Sequence, residues 1–431
     1  MFSGKHLKKN NSLLELRQRL FFLLLGIFVY RLGSHIPIPG IDPMCLSELF
    51  DQQKNSIIGL FNVFSGGALQ RLTIFALGIM PYISSSIILQ LFTAVIPSLE
   101  QLKKEGASGK HKLGQYTKYG TLVLAVFQSF AFAKWLVSSN VVLSGNNFYI
   151  TTIITLTAGT MFLVWLGEQM TERGIGNGIS MLIFVGIISR FPISVAHLVG
   201  QIRDGQTHPA IILLIIALVI IVTSIVVFFE NSHRKISINY AKRQVGRVTY
   251  NAQTSSLPLK INMSGVMPAI FASSIILFPA TLAQWFGQSK NIVLLSKIGT
   301  ALQIGQPLYL ICYSAAIIFF CYFYTALMFN PKDISDNLKK SGAYISGIRP
   351  GDNTTNYIDF VITRITFIGA IYITFISLLP DILMFFLHMP FYFGGTSLLI
   401  VVVVLMEFIS QIQSYIMSYQ YDSIMKKQKL I

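Results

Sequence analysis

The stretch "GIMPYISSSIIL", residues 78–89, lies inside one long apolar run, and "GVMPAIFASSIIL", residues 265–277, lies inside another. Each writes a glycine, then Met-Pro, then serines and isoleucines into sequence otherwise fit for a bilayer. A membrane-crossing helix needs about 20 mostly apolar residues. Around the two phrases, eight such spans are plain, at residues 72–96, 119–136, 149–166, 210–229, 262–286, 307–329, 365–387 and 394–412. Two more, 20–38 and 178–199, are interrupted by Arg31 and Arg190. The phrases then fall in spans 2 and 7, the second member of each set of five. Because five is odd, the two copies cross in opposite senses, which is the mark of an inverted-topology repeat. The expected fold class is an all-α polytopic membrane protein, with ten transmembrane helices in two inverted pseudo-symmetric halves of five. Residues 1–200 would hold spans 1–5 and residues 201–431 spans 6–10. One proline with serines is ordinary in a kinked membrane helix. A matched pair at matched positions marks a functional interface.

Composition agrees. Of 431 residues, 53% are hydrophobic and 12% charged, with mean hydropathy +0.62, against about 25% charged in a soluble domain. The net charge of +16 comes from 33 Lys and Arg against 17 Asp and Glu. Of those 33, 25 fall before residue 20, in residues 98–118, 167–177, 230–261 and 330–364, and in the C-terminal tail. All of these lie on one side of the ten-span map, as the positive-inside rule requires of the cytoplasmic face. Deleting either interrupted span would throw basic loops across the membrane, so both are kept and both termini are expected in the cytosol. The first apolar stretch has no small-residue cleavage site and nine spans follow it, so it reads as a span rather than a secretory signal.

Enzymatic readings find no support. There is no His-Glu-x-x-His helix and no Gly-x-x-x-x-Gly-Lys loop, the seven histidines are scattered, and Cys45, Cys312 and Cys321 have no metal spacing. No catalytic residue, cofactor or metal is expected. "ERGIGNG", residues 172–178, reads as a tight turn between spans 4 and 5. A secondary transporter shares the inverted repeat and is the alternative function. Coupled transporters bury ionisable groups at the midplane, whereas Glu407, Asp381, Lys134 and Arg190 lie toward span ends or at interruptions. A pathway without fixed charges suits a cargo of variable chemistry. "NSIIGLFNVFSGGALQR", residues 55–71, is apolar, glycine-broken and too short to span. It reads either as an interfacial amphipathic helix or as backbone lining a cavity.

Many phrases carry a family resemblance: "IPIPGID" (36–42), "FSGGAL" (64–69), "FALGIMPYISSSII" (75–88), "KKEG" (103–106), "GTMFLVWLGEQMTERGIGNGIS" (159–180), "NYAKRQ" (239–244), "LPLKINMSGVMPAIFASSI" (257–275), "FNPKDISDNLKKSGAYISGIRPG" (329–351) and "PFYFGGTSLLIVVVV" (390–404). Over essentially its whole length the chain resembles the SecY family, channel subunits of the bacterial Sec protein translocase, in its proteobacterial form. The resemblance implies a protein-conducting channel in the bacterial plasma (inner) membrane. Such a channel passes unfolded secretory polypeptides across the membrane and releases membrane segments sideways into it. It implies a plug in the half-helix at residues 57–70, with Phe64, Ser65, Gly66 and Gly67. It implies a pore ring of Ile79, Ile83, Ile179, Ile183, Ile270 and Ile400. From sequence alone each of these is one more isoleucine in a membrane helix. The twin phrases would be the leaves of a lateral gate, with Gln90 and Asn262 at polar gate positions. The basic loops 230–261 and 330–364 would dock partners through Arg349, Lys242 and Arg243. The implied partners are SecE and SecG subunits, the SecA motor ATPase, the ribosome through its RNA phosphates, signal peptides with unfolded chains, and membrane lipids. The chain departs from the common pattern at Arg190, Lys134 and its short lysine-rich tail, none of which lies in a pore or gate motif.

Overall fold

The computed structural model describes residues 4–42, 44–46, 48, 62, 65–139, 141–142, 148–204, 210–240, 243–245, 248–250, 254–287, 306–387 and 395–428. Among them are twelve helices and five strands. In chain order these are α1 (Gly4–Gly33), α2 (Met80–Val95), α3 (Pro97–Lys104), α4 (Ala107–Ser138), α5 (Phe148–Arg173), α6 (Gly178–Arg203) and α7 (Ala210–Asn231). Then come β1 (His233–Tyr240), β2 (Arg243–Val245), β3 (Val248–Tyr250), β4 (Thr254–Lys260), α8 (Met267–Gly287), α9 (Pro307–Met328), α10 (Pro331–Lys340), β5 (Ala343–Ile345), α11 (Asp352–Leu387) and α12 (Gly395–Gln428). Each of the ten predicted spans holds one long helix. Of these, α4, α5, α9, α11 and α12 contain stretches apolar and long enough to cross a membrane alone, and α2 joined to α3 makes a sixth.

The twin phrases decide where two helices begin, and both begin later than the apolar runs imply. Spans 2 and 7 were expected from residues 72 and 262, with the proline inside each span. Both helices instead start at the methionine before the proline, Met80 and Met267. The proline is a helix start rather than a kink: its ring presets the helical φ, and its missing N–H would have no partner there anyway. The preceding glycines, Gly78 (φ +57°) and Gly265 (φ +60°), turn the chain through left-handed backbone that no right-handed helix tolerates. Residues 65–79 accordingly run as successive turns, with Thr73 N donating to Ala68 O (3.0 Å), Ala76 N to Thr73 O (2.9 Å) and Gly78 N to Phe75 O (2.9 Å).

By internal contacts the chain resolves into two compact units. The first is Met1–Leu213 with Ser274–Tyr309 and Ile400–Ile431. Here α1 ends at Gly33, short of the expected residue 38, because the chain then pairs as extended backbone: Ile38 N donates to Leu72 O (2.9 Å) and Ile74 N to Ile36 O (3.1 Å). Ser85 Oγ on α2 donates to Thr117 O on α4 (2.8 Å). Gly120 makes room for it, since a Cβ there would stand 2.4 Å from that oxygen. Lys118 on α4 and Glu168 on α5 form an ion pair at 2.7 Å. Ile96 takes extended backbone (φ −97°, ψ 113°) before Pro97, as a residue preceding proline prefers, and α3 leaves α2 at 100°. Phe21, Leu24 and Phe28 stand exposed along α1, a face for lipid rather than water.

The second unit is Leu214–Ser273 with Leu310–Leu399. In residues 230–261 and 330–364, expected as long ordered loops with Gly and Pro turns, the described residues also form strands and a short helix. An antiparallel sheet of order β4–β1–β5 aligns Ile236 with Leu257 and Ile238 with Ile345. Its buried face, Ile236, Leu259 and Ile345, packs on Ile358, Val361, Ile362 and Ile365 of α11, with Ile334 and Leu338 of α10 at the edge. Asn330 caps α10 by accepting from Lys332 N (3.2 Å), with Pro331 as its first residue. Helix α11 begins at Asp352, thirteen residues before the expected span at 365, because its first turns are needed to roof this sheet. A second hairpin, β2–β3, pairs Arg243 with Tyr250.

Candidate functional site

The glycine turn that delivers the chain to α2 also builds a small recess. Ile79, the N-cap of α2, and Ile83, one turn on, are both buried. They meet Leu182 and Ile183 from α6, Tyr30 from α1, and Gly78 and Met80, around a space about the size of one water. Three predicted ring residues, Ile79, Ile83 and Ile183, are thus brought together. Every side chain in the lining is apolar except the Tyr30 hydroxyl, which donates to Ser65 O (3.4 Å). Walls of this kind favour neither water nor a polar cargo. Ile179 is half-buried on the first turn of α6, packed where a Cβ on Gly167 would come within 2.9 Å of its Cγ1. Ile400 is fully buried on α12 and does not line the recess. Ile270 belongs to the second unit, buried in α8. It stands two residues past Pro268, as Ile83 stands two past Pro81. Tyr30, Met80 and Leu182 were not predicted in the lining. Only Met80 carried a signal, its place in the twin phrase.

Of the expected plug residues, Phe64 lies outside the described residues. Ser65, Gly66 and Gly67 form a tight turn, with Gly66 at φ +68° and Gly67 at φ +84°. The turn lies directly on α6, where a Cβ on Gly66 would sit 2.9 Å from Gly186 Cα. Glycine is needed there for both the backbone angle and the closeness. Ser65 Oγ donates to Asn62 O (3.2 Å) and accepts from Leu69 N (3.3 Å), so the turn is held at both ends.

The two gate positions are polar groups in different settings. Gln90 Nε2 donates to Ser86 Oγ one turn back (3.3 Å), while its buried Oε1 has no hydrogen-bond partner. Asn262 is buried just before α8, where its Nδ2 donates to a Glu230 carboxylate oxygen and to Gly265 O (3.2 Å). Its Oδ1 accepts from Ser264 (3.2 Å). Of the α8 serines, Ser273 bonds its own helix at Ile270 O (2.9 Å), and Ser274 Oγ reaches Met80 Sδ at 3.9 Å. Arg349 is exposed beyond β5, between Gly347 (φ +80°) and Gly351 (φ +115°). Its carbonyl accepts from Thr354 Oγ1 (3.0 Å). Arg243 opens β2, and Lys242 lies outside the described residues. Among the described residues, no three His, Cys, Asp or Glu side chains come together as a metal site.

The model of the SecY family matches residues 73–409. The Protein translocase subunit SecY of Escherichia coli strain K12 is 57% identical over 421 residues, 96% of this chain and 95% of that protein. A solved structure described as "The structure of a protein conducting channel" has a TM-score of 0.69 at 18% identity, covering 95% of this chain and 94% of that one. Sec61 in the canine ribosome-channel complex from the endoplasmic reticulum has a TM-score of 0.67 at 16% identity, with the same coverage. The fold is therefore that of these multi-pass membrane proteins, with ten transmembrane helices in two inverted halves of five. On a family match over most of its length and a relative more than half identical nearly from end to end, the chain belongs to the SecY family.

Proposed function

We infer that this chain is the channel-forming subunit of a protein translocase in the bacterial plasma membrane. It passes unfolded secretory polypeptides outward and releases membrane segments sideways into lipid. The observation that carries the reading is the apolar recess, where Ile79, Ile83 and Ile183 meet at the end of the glycine turn with no charged side chain among them. An apolar constriction excludes water and ions when closed, yet offers a passing chain no bond to keep. Ile179, Ile270 and Ile400 complete the ring in this reading. Phe64, Ser65, Gly66 and Gly67 plug it, and Gln90 and Asn262 flank the sideways exit through which signal peptides leave. Residues 1–200 and 201–431 act as the two halves, with both termini in the cytosol. Arg349, Lys242 and Arg243 dock either the SecA motor or the ribosome, which supply the driving energy. SecE and SecG complete the assembly.

The test is a leak. Ile83→Ser combined with Ile270→Ser hydrates the constriction, so resting ion conductance is expected in planar bilayers with no substrate present. Ile87, buried in the same helix outside the ring, is the control. Its change to serine loses similar packing, on the order of 1–3 kcal/mol, and should leak little. Equal, negligible conductance at matched stability would remove the ring, and a secondary transporter with thick redundant gates would then be the better reading.

A further inference from the structure

Beyond the apolar seal, the described residues hold one polar cluster on the same side of α6 as the glycine turn. Arg190 of α6 donates from Nη2 to Gln70 Oε1 at 2.8 Å. Asn62 Nδ2 reaches that same oxygen at 3.5 Å, and Asn62 Oδ1 accepts from Gln70 N at 3.1 Å. Asn62 is buried, and its carbonyl accepts from Gly67 N at 2.9 Å. Asn62 and Gln70 therefore clasp the turn 65–67 from both sides, and the guanidinium holds the clasp. A Cβ on Gly67 would stand 3.3 Å from Arg190 Nε, so the turn lies against the arginine itself. Arg190 is seven residues beyond Ile183 on the same helix, about 10 Å along the axis at 1.5 Å per residue.

We propose that Arg190 is a positioning residue for the plug: its hydrogen bond to Gln70 latches Asn62 and the turns at 65–70 onto α6 and sets how readily the closed channel opens. The proposal rests on the channel reading above. A guanidinium at membrane depth is costly unless partnered, so it cannot be a neutral bystander. One partner, Gln70, is an uncharged amide, which gives a charge-assisted bond strong enough to bias a closed state. A carboxylate in the same place would bind it more tightly and resist release. A ligand or cargo that opens the channel must break this contact, and the closed population is biased by whatever the contact contributes to the closed state alone.

The experiment reads resting openings of the full-length protein, purified with the subunits that accompany it, in planar bilayers. Arg190→Gln and Gln70→Leu should each raise the resting open fraction about tenfold, the scale of one charge-assisted hydrogen bond. The double variant should open no more than either single one, because both remove the same bond. Gln70→Glu, nearly the same shape, should do the opposite: fewer resting openings than the parent and a slower onset of secretion. A merely structural contact would not give effects of opposite sign at one position. Parental conductance in Arg190→Gln and Gln70→Leu overturns the latch, as does Gln70→Glu behaving like Gln70→Leu. The Ile83→Ser, Ile270→Ser variant is run beside them. If it conducts while the latch variants are silent, the latch is wrong and the channel stands; if it too is silent, the channel reading falls and the latch with it.

Discussion

Arg349 shows how one exposed side chain is separated from the fold that presents it. Its backbone is held by Thr354 and flanked by glycines with left-handed angles, while the side chain points to solvent. Arg349→Glu should leave membrane insertion and folding intact, since surface changes away from such anchors usually cost within about 0.5 kcal/mol. A guanidinium grips a carboxylate bidentately, and reversing its sign turns attraction into repulsion. ATP-driven secretion into vesicles supplied with the motor should therefore stall, and normal secretion by that variant would remove Arg349 from the docking surface. At this scale the sequence was uneven in what it disclosed. "FSGG" announces a turn because only glycine takes φ near +70° without strain. The isoleucines of the recess are chemically identical to exposed ones such as Ile150, Ile216 and Ile371, and neither Tyr30 nor Leu182 stands in any pattern that sets it apart. Their role comes from where α1 and α6 pass, which no local spacing records.

Among elements, the starts of α2 and α8 were the least legible part of the fold and are the most informative. Hydropathy sees residues 72–96 as one run, because apolar turns and apolar helix have the same composition. The backbone leaves the helix wherever a glycine demands it. This makes a contrast between neighbouring residues of one phrase. Pro81→Ala should cost little, within about 1 kcal/mol, since the second helical residue needs no N–H partner and alanine is a good helix former. Gly78→Ala should cost more, about 1–2 kcal/mol, because a Cβ must enter left-handed backbone, although its nearest contacts, at Ser65, are an ordinary 3.8 Å away. Chemical unfolding of the two variants in detergent should rank them in that order, and the reverse order would make the proline a true kink. The β4–β1–β5 sheet is illegible in the sequence for a different reason. Strand β5 is only three residues long, and the alternation that betrays β1, with Ile236 and Ile238 buried on either side of exposed Ser237, is confined to a few residues of a basic stretch.

For the whole molecule, the count of ten spans came from the apolar runs, and the orientation from where lysine and arginine collect, which is a property of loops and so survives errors in helix ends. The native thiols offer a check on that orientation. Cys45 is exposed in the segment after α1, expected on the outer face. The Asp42 carboxylate beside it, chiefly through its charge and also through the Sγ to Asp42 Oδ2 contact at 3.7 Å, pushes its pKa up. Because the thiolate is the reactive form, an impermeant maleimide should label Cys45 in spheroplasts slowly at neutral pH and faster as pH rises beyond the ordinary thiol range. Asp42→Asn should speed it. In a background with Cys312→Ala and Cys321→Ala, Cys45 labels without lysis, whereas Ser341→Cys, in the exposed turn after α10, labels only after lysis. The opposite result would invert the map. The long α11 gives this map a mechanical meaning. It runs from the core of the β4–β1–β5 sheet into its membrane span with no proline before Pro380, some 28 residues or about 42 Å of unbroken helix. A load applied by a docked partner to the sheet is therefore carried into the bilayer by a stiff rod without a hinge, so force and displacement arrive together rather than being absorbed on the way.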